Sequence, residues 1–330
     1  MEQLIIPAII TIIIGFFSVY ALTPIVIKAL EKRNVTVIDV NKKEKTLVAR
    51  PGGLSIIVGI IASLTALYFF FPITEILAIA ITTGLAFIVG IIDDRKTMGG
   101  WFKPLALAFC AVPIILFGAY DSNLDFPLFG SVKIPMLYLA LIIFMIPITG
   151  NTFNSIDVLN GVVSGFTTIA SFALSISLFI LNNYEIAIAC LLLAFTSLAF
   201  YKYHKFPSRI FPGDSGALVF GAMYGAIAIV GHVEVIAAVI ILPAVINSFL
   251  FLSSVKKIVE HRQIKNPISH TDDWKLQSTN ENHSPITLVR LLVARTPLSE
   301  KQIGLEIFKL AIFSGMLGIV SAFLVGVELT

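Results

Sequence analysis

Charge is what this sequence has least of. Asp, Glu, Lys and Arg make up 13% of its 330 residues, about half the usual share of a water-soluble domain. So few charges cannot clothe a globular core, which excludes an ordinary soluble fold. Cysteine is nearly absent as well. Cys110 and Cys190 both fall inside apolar runs, which excludes a disulfide framework and says little about compartment. No Cys-His spacing suggests a zinc site, and no Ser-His-Asp order marks a hydrolase. No internal repeat is visible, which weakens any transporter built from duplicated halves.

What fills the chain is apolar. Hydrophobic residues account for 57%, and the mean hydropathy is +0.94. Apolar stretches at about 4–27, 54–71, 76–92, 104–119, 136–148, 162–181, 186–201, 217–231, 235–255 and 307–327 predict an all-α integral membrane protein. About ten transmembrane helices form one polytopic domain over 1–330. Several stretches are shorter than the roughly 20 residues of a perpendicular span, so some helices must be broken or buried in the bundle. The opening run is too long and too weakly basic for a signal peptide and is read as the first span.

With the N-terminus outside, segments 28–53, 93–103, 149–161, 202–216 and 256–309 face the cytoplasm. Of the 23 Lys and Arg residues, all but Lys133 then lie inside, as the positive-inside rule requires. The expectation is a multi-pass plasma-membrane protein with both termini extracytoplasmic and its chemistry on the cytoplasmic face. The external loop 121–135, with a Gly130–Lys133 turn between short apolar arms, can form a β-hairpin.

Four polar places interrupt this pattern, all on the cytoplasmic side. Asp93-Asp94, followed by Lys103, offers two carboxylates that can share a divalent metal or divide proton transfer from cation binding; a helix cap is the plainer alternative. Asn151, Asn154, Asp157 and Asn160 recur every three residues. On a helix this spacing gathers them along one side, as a ligand-binding stripe or a polar seam between helices. Arg209, Phe211 and Asp214 share one short loop before an apolar run, offering an anion contact, a stacking face and either a metal ligand or an N-cap. Glu260-His261-Arg262 can bind a diphosphate or simply form a solvated basic face. The inventory suits phosphoryl chemistry on an oxygen-rich metal.

At these places the chain resembles the polyprenyl-phosphate N-acetylhexosamine-1-phosphate transferase superfamily. The motifs are Asp93-Asp94 with Lys103, Asn154 to Asn160-Gly161, Pro207-Ser208-Arg209-Ile210-Phe211-Pro212-Gly213-Asp214, and His261-Arg262, in the family's order. The loop through Asp214 and the His-Arg pair look closer to the dolichyl branch of archaea and eukaryotes, whereas Asp157 resembles the bacterial branch. Arg50-Pro51-Gly52-Gly53 is similar to the family's Pro and Gly-rich segment before the second helix.

The resemblance implies transfer of HexNAc 1-phosphate, most simply GlcNAc 1-phosphate, from a UDP-sugar to a polyprenyl phosphate. The cofactor it implies is Mg²⁺, with Mn²⁺ as a substitute. Asn154 and Asp214 would hold the metal, and Phe211 would stack on uracil with Asn160 hydrogen-bonding it. His261 and Arg262, beside Glu260, would contact diphosphate and sugar, and Lys103 the phosphates. Asp93 and Asp94 would orient or deprotonate the acceptor, and Asp157 has no settled part. Membrane lipid is the expected setting, no nucleic acid is expected, and monomer and homodimer both stay open.

Two other classes remain in view. A secondary transporter would place its carboxylates near the midplane. An intramembrane aspartyl protease would need a second aspartate sharing a proton with Asp214, and it gives no reason for Lys103 or the Asn stripe.

Overall fold

A computed structural model describes residues 2–96, 99, 101–255, 266–279 and 284–325. The chain runs through α1 (Glu2–Lys32), α2 (Gly53–Phe70), α3 (Thr74–Arg95), α4 (Phe102–Phe109), α5 (Val112–Leu116), α6 (Pro135–Ile156), α7 (Val162–Ile180), α8 (Tyr184–His204), α9 (Gly213–Val230), α10 (Glu234–Ile240), α11 (Leu242–Val255), α12 (Leu288–Leu292) and α13 (Glu300–Leu324). Among the described residues eight of these, α1 to α3, α6 to α9 and α13, are long and apolar enough to cross a membrane. A ninth crossing arises if α10 and α11, bent by 76° to one another, act as one span. The protein is a multi-pass helical membrane protein.

The breaks have local causes. Pro243 lacks the N–H that would continue α10 into α11. The expected run 104–119 becomes two short helices, α4 and α5, with Pro113 in the first turn of the second. The last long helix starts at Glu300, before its apolar run, because Ser299 and Gln302 form a reciprocal capping box.

Among the described residues, three small antiparallel hairpins decorate the bundle. β3 (Asn123–Phe126) pairs with β4 (Gly130–Lys133), Asn123 opposite Lys133, within the loop where the sequence suggests a hairpin. β1 (Thr36–Ile38) with β2 (Leu47–Ala49), and β5 (Ile268–His270) with β6 (Leu276–Ser278), were not expected. Their strands are three residues long, too short to show an alternating pattern.

The helix at the centre is α9, which is buried almost throughout. Small residues let its neighbours close on it: a Cβ on Gly221 would lie 2.5 Å from the Thr149 carbonyl oxygen of α6. One on Gly90 of α3 would lie 2.5 Å from the Ser215 Cα, and one on Gly53 of α2 would meet the Ser215 hydroxyl. In lipid, where apolar surfaces gain little by leaving the solvent, such close backbone approach is what joins helices.

Gly90→Ala should therefore force α3 from α9 and destabilise the protein by about 1–3 kcal/mol, the usual cost of overpacking. Gly84→Ala, on the same helix with nothing within 4 Å of the added atom, should cost nothing measurable. Thermal unfolding of both variants in detergent is the check, and equal midpoints would contradict this packing.

Candidate active site

The site forms where the ends of α2, α3, α4, α6 and α9 converge, and it begins with an electrostatic requirement. The first N–H groups of a helix have no partners within it, and α9 starts deep in the bundle. Asp94, at the end of α3, supplies them: its Oδ1 accepts from the Asp214 N–H and its Oδ2 from the Ser215 N–H, each at 2.9 Å. Its side chain is only 2% exposed. Gly213 makes this approach possible, because its φ is +70° and a Cβ there would lie 2.8 Å from both Asp94 oxygens.

Asp214 therefore does not cap its own helix. It lies in the first turn without a capping bond to its own helix, and Lys103 Nζ donates to its Oδ1 at 2.6 Å, Asn154 Nδ2 to Oδ1 at 3.0 Å, and Arg50 Nη2 to Oδ2 at 3.2 Å. Lys103 also pairs with Asp93 Oδ2 at 2.6 Å. Three aspartates and two cations, contributed by four separate segments, thus interlock. They line a cleft of about 1620 Å³ together with Asn151, Asp157 and Phe211. Part of its wall is apolar, formed by Phe144 and Ile148 of α6 with Val245, Phe249 and Leu252 of α11.

The loop that carries Phe211 is stitched to the start of α2. Phe211 N–H donates to the Ala49 carbonyl at 2.9 Å, and Gly52 N–H returns a bond to the Phe211 carbonyl at 2.8 Å. Phe211 is half-buried on the cleft wall, its ring perpendicular to that of His204 with centroids 6.2 Å apart.

The family model for glycosyl transferase family 4 matches residues 76–232, the stretch holding Asp93, Asp94, Lys103, Asn154, Phe211 and Asp214. A Saccharolobus solfataricus protein provisionally named as a UDP-N-acetylglucosamine–dolichyl-phosphate N-acetylglucosaminephosphotransferase is 31% identical over 246 residues, 73% of this chain and 76% of that one. The chain belongs to glycosyl transferase family 4. A Methanocaldococcus jannaschii protein provisionally named as a glycosyltransferase is 30% identical over 85% of this chain and 86% of its own length. A Staphylococcus haemolyticus phospho-N-acetylmuramoyl-pentapeptide-transferase is 29% identical over 69% and 77%.

Within this family 4 chain, not every expected residue stands where the spacing put it. The polar stripe is not one helix face: α6 ends at Ile156, and 157–161 form a turn closed by Gly161 at φ +81°. Asn151 donates back to the Pro147 carbonyl at 2.8 Å, although it still borders the cleft. Asn160 is 8% exposed, and both of its amide donors are taken by Asp39 and Glu300. Its oxygen accepts from the Ser208 N–H at 2.8 Å. It ties three segments together and also borders the cleft. Arg209 is exposed and is not among the lining residues, so the expected trio on its loop reduces to Phe211 and Asp214. Glu260, His261 and Arg262 lie outside the described residues.

One residue that the spacing argument left out is Arg50. It stood in view only as part of a Pro and Gly-rich turn, and its sequence neighbours give no sign that Asp214, 164 positions away, is its partner.

Asp157 follows α6 with Oδ1 3.7 Å from His204 Nε2. Burial pushes its carboxyl up to about 7; Arg50 opposes the shift, while Asp214 and Asp94 add to it. The fold therefore favours the protonated form. Stability from this group is fully present below about pH 4, the ordinary carboxylate value, and is lost as the pH rises towards 7. Asp157→Asn, which imitates the protonated acid, should abolish that part of the loss. Unfolding midpoints of both proteins between pH 5 and 8 should diverge as pH rises, and parallel curves would refute the assignment.

Asp94→Asn offers one acceptor where two are needed, leaving a buried N–H of α9 unpaired. It should lower stability by about 1–3 kcal/mol, readable as a loss in denaturant midpoint. An unchanged midpoint would mean that Asp94 does not hold the start of α9.

Proposed function

We propose that this protein transfers an N-acetylhexosamine 1-phosphate, GlcNAc 1-phosphate in the first instance, from its UDP-sugar to a polyprenyl phosphate of the dolichyl type. The products are polyprenyl-diphosphate-HexNAc and UMP, and the reaction is the first membrane step of glycan assembly, of the N-glycan kind. The observation that carries this reading is one cleft in which interlocked acids and cations border an apolar wall. A lipid chain and a charged phosphate head need such a surface side by side. The names of the archaeal relatives point to the same reaction.

In this scheme an oxygen of the acceptor phosphate attacks the sugar-linked phosphorus of the UDP-sugar. A new P–O bond forms, the bond from that phosphorus to the bridging oxygen breaks, and UMP leaves with the electron pair. Little covalent chemistry falls to the protein, so positioning and charge stabilisation dominate. Lys103 presents its ammonium to the phosphates, Asp93 orients the acceptor head, and Phe211 stacks on the base. Asp94 acts indirectly by fixing the start of α9, and Asn160 by fixing the Phe211 loop.

The donors near Asp214 fit Mg²⁺. Its carboxylate and the Asn154 amide are hard oxygen ligands, and Mg²⁺ commonly takes only one or two carboxylates and completes its shell with water and substrate phosphates. Among the described residues no group of three or more His, Cys, Asp or Glu side chains is arranged to hold a metal, so the proposed site rests on Asp214 and Asn154 with oxygens from substrate and water. Asp214 and Asn154 would hold Mg²⁺, or Mn²⁺ in its place, and the ion would supply positive charge at the diphosphate.

We read the orientation from charge. With α4 and α5 counted as one span and α10 and α11 as another, ten spans among the described residues would put both termini outside and the cleft at the cytoplasmic face of the plasma membrane. Lys133 of β4 is then the one Lys or Arg among the described residues at the opposite end. A second reading, an undecaprenyl-phosphate acceptor in cell-wall polymer synthesis, draws on Asp157 and on the similarity to phospho-N-acetylmuramoyl-pentapeptide-transferases.

The test is to incubate purified protein with Mg²⁺, a panel of UDP-sugars and short dolichyl or undecaprenyl phosphates, and to weigh the lipid product. GlcNAc added to the dolichyl acceptor as a diphosphate is expected; a product with the undecaprenyl acceptor alone would favour the second reading. Asp214→Asn should lower turnover by a factor of 100 or so, the scale of losing a charged group at a reacting phosphate. Near-normal turnover would remove the metal site.

A further inference from the structure

Arg50 is held in place more firmly than a surface arginine needs to be. It follows β2, whose last residue, Ala49, accepts the Phe211 N–H, and it precedes Gly52, whose N–H donates to the Phe211 carbonyl. Its backbone therefore runs alongside Phe211 and Pro212, and its guanidinium reaches the start of α9. There Nη2 lies 3.2 Å from Asp214 Oδ2 and 3.6 Å from Asp94 Oδ1.

Two observations separate it from Lys103, which lines the same cleft. Lys103 is 18% exposed, and its ammonium already bridges Asp93 and Asp214 at 2.6 Å each. Arg50 is 41% exposed, borders the cleft, and among the described residues pairs through Nη2 alone. A guanidinium carries five donors in a planar fork that matches phosphate oxygens, so Nε and Nη1 retain donors for a ligand. The location is apt too. A nucleotide stacked on Phe211 with its metal at Asp214 must pass its diphosphate between them, and Arg50 spans that interval.

We infer that Arg50 contacts the diphosphate of the bound UDP-sugar while remaining paired to Asp214, an assignment that rests on the transfer reaction proposed above. The residue thus links nucleotide recognition to the acid that would hold the metal. The competing account is that Arg50 is only a counter-ion for Asp214 and touches no substrate.

The two accounts separate in binding measurements on the full chain in detergent with Mg²⁺, using UDP-GlcNAc, UMP and uridine as probes. Arg50→Gln should weaken UDP-GlcNAc roughly ten- to a hundredfold, the range for losing a hydrogen bond to a charged group, and leave uridine unchanged. Arg50→Lys keeps the charge without the fork and should fall between. Unchanged UDP-GlcNAc affinity in Arg50→Gln, with Mg²⁺ binding tightened by loss of a competing cation, would overturn the inference and leave the reaction standing. A wild-type protein that binds neither UDP-GlcNAc nor UMP would overturn both. Should Arg50→Gln not purify as a single species, equal UDP-GlcNAc affinity in Arg50→Lys and wild type would count against the inference.

Discussion

The arrangement depends on one interaction, the carboxylate of Asp94 accepting two N–H groups at the start of α9. A helix that begins inside a membrane bundle exposes partial positive charge and unpaired donors in a medium that cannot solvate them. A buried anion from a neighbouring helix answers both needs at once. It also fixes α3 against α9 in rotation and height, since both oxygens are used. Asp214, whose own N–H is one of the two donors, is thereby held at a set distance from everything on α3. The glycines at 53, 90 and 213 serve the same junction, because any side chain there would occupy the space through which the elements meet.

From that junction the charges of the site follow. Asp93, Asp94 and Asp214 would repel one another at a boundary of low dielectric were Lys103 and Arg50 not set among them. Losing one partner from such a group leaves a poorly solvated charge, which costs more than the pair itself contributes. The cluster is thus a preformed framework of fixed charges, and preformed charge at a reacting phosphate is the form of catalysis that needs no reorganisation at the moment of reaction. Asp157 stands slightly apart, where burial outweighs the pull of Arg50.

A second polar junction steadies the loops. Asn160 binds Asp39, Glu300 and the Ser208 backbone, so the first loop, the turn after α6, the start of α13 and the Phe211 loop are joined at the wall of the cleft. Lys42 adds a salt bridge to Asp39 at 3.0 Å. Loops that must present an aromatic face and an acid in register gain precision from a buried amide with every donor used, because a shift in any one loop breaks bonds to the others.

The sequence by itself determined the class of protein, the apolar segments, the hairpin within 121–135 and most of the residues that meet in the cleft. Each of these is local: a long apolar run must leave water, and Asp, Asn and Lys beside such runs are too poorly solvated to stand there without a partner or a ligand. Only the tertiary structure decided what the polar groups do. The three-residue spacing from Asn151 to Asn160 reads as one helical face, yet the helix ends at Ile156, and Asn160, in the turn that follows, bonds to residues more than a hundred positions away. Asp214 looks like a helix cap until Asp94 is seen to be the cap. Arg50 looks like part of a turn until Asp214 is found 3.2 Å from it. Pairing across such separations leaves no period and no local composition to read, because it is the packing of α2, α3 and α9 that brings those side chains within reach.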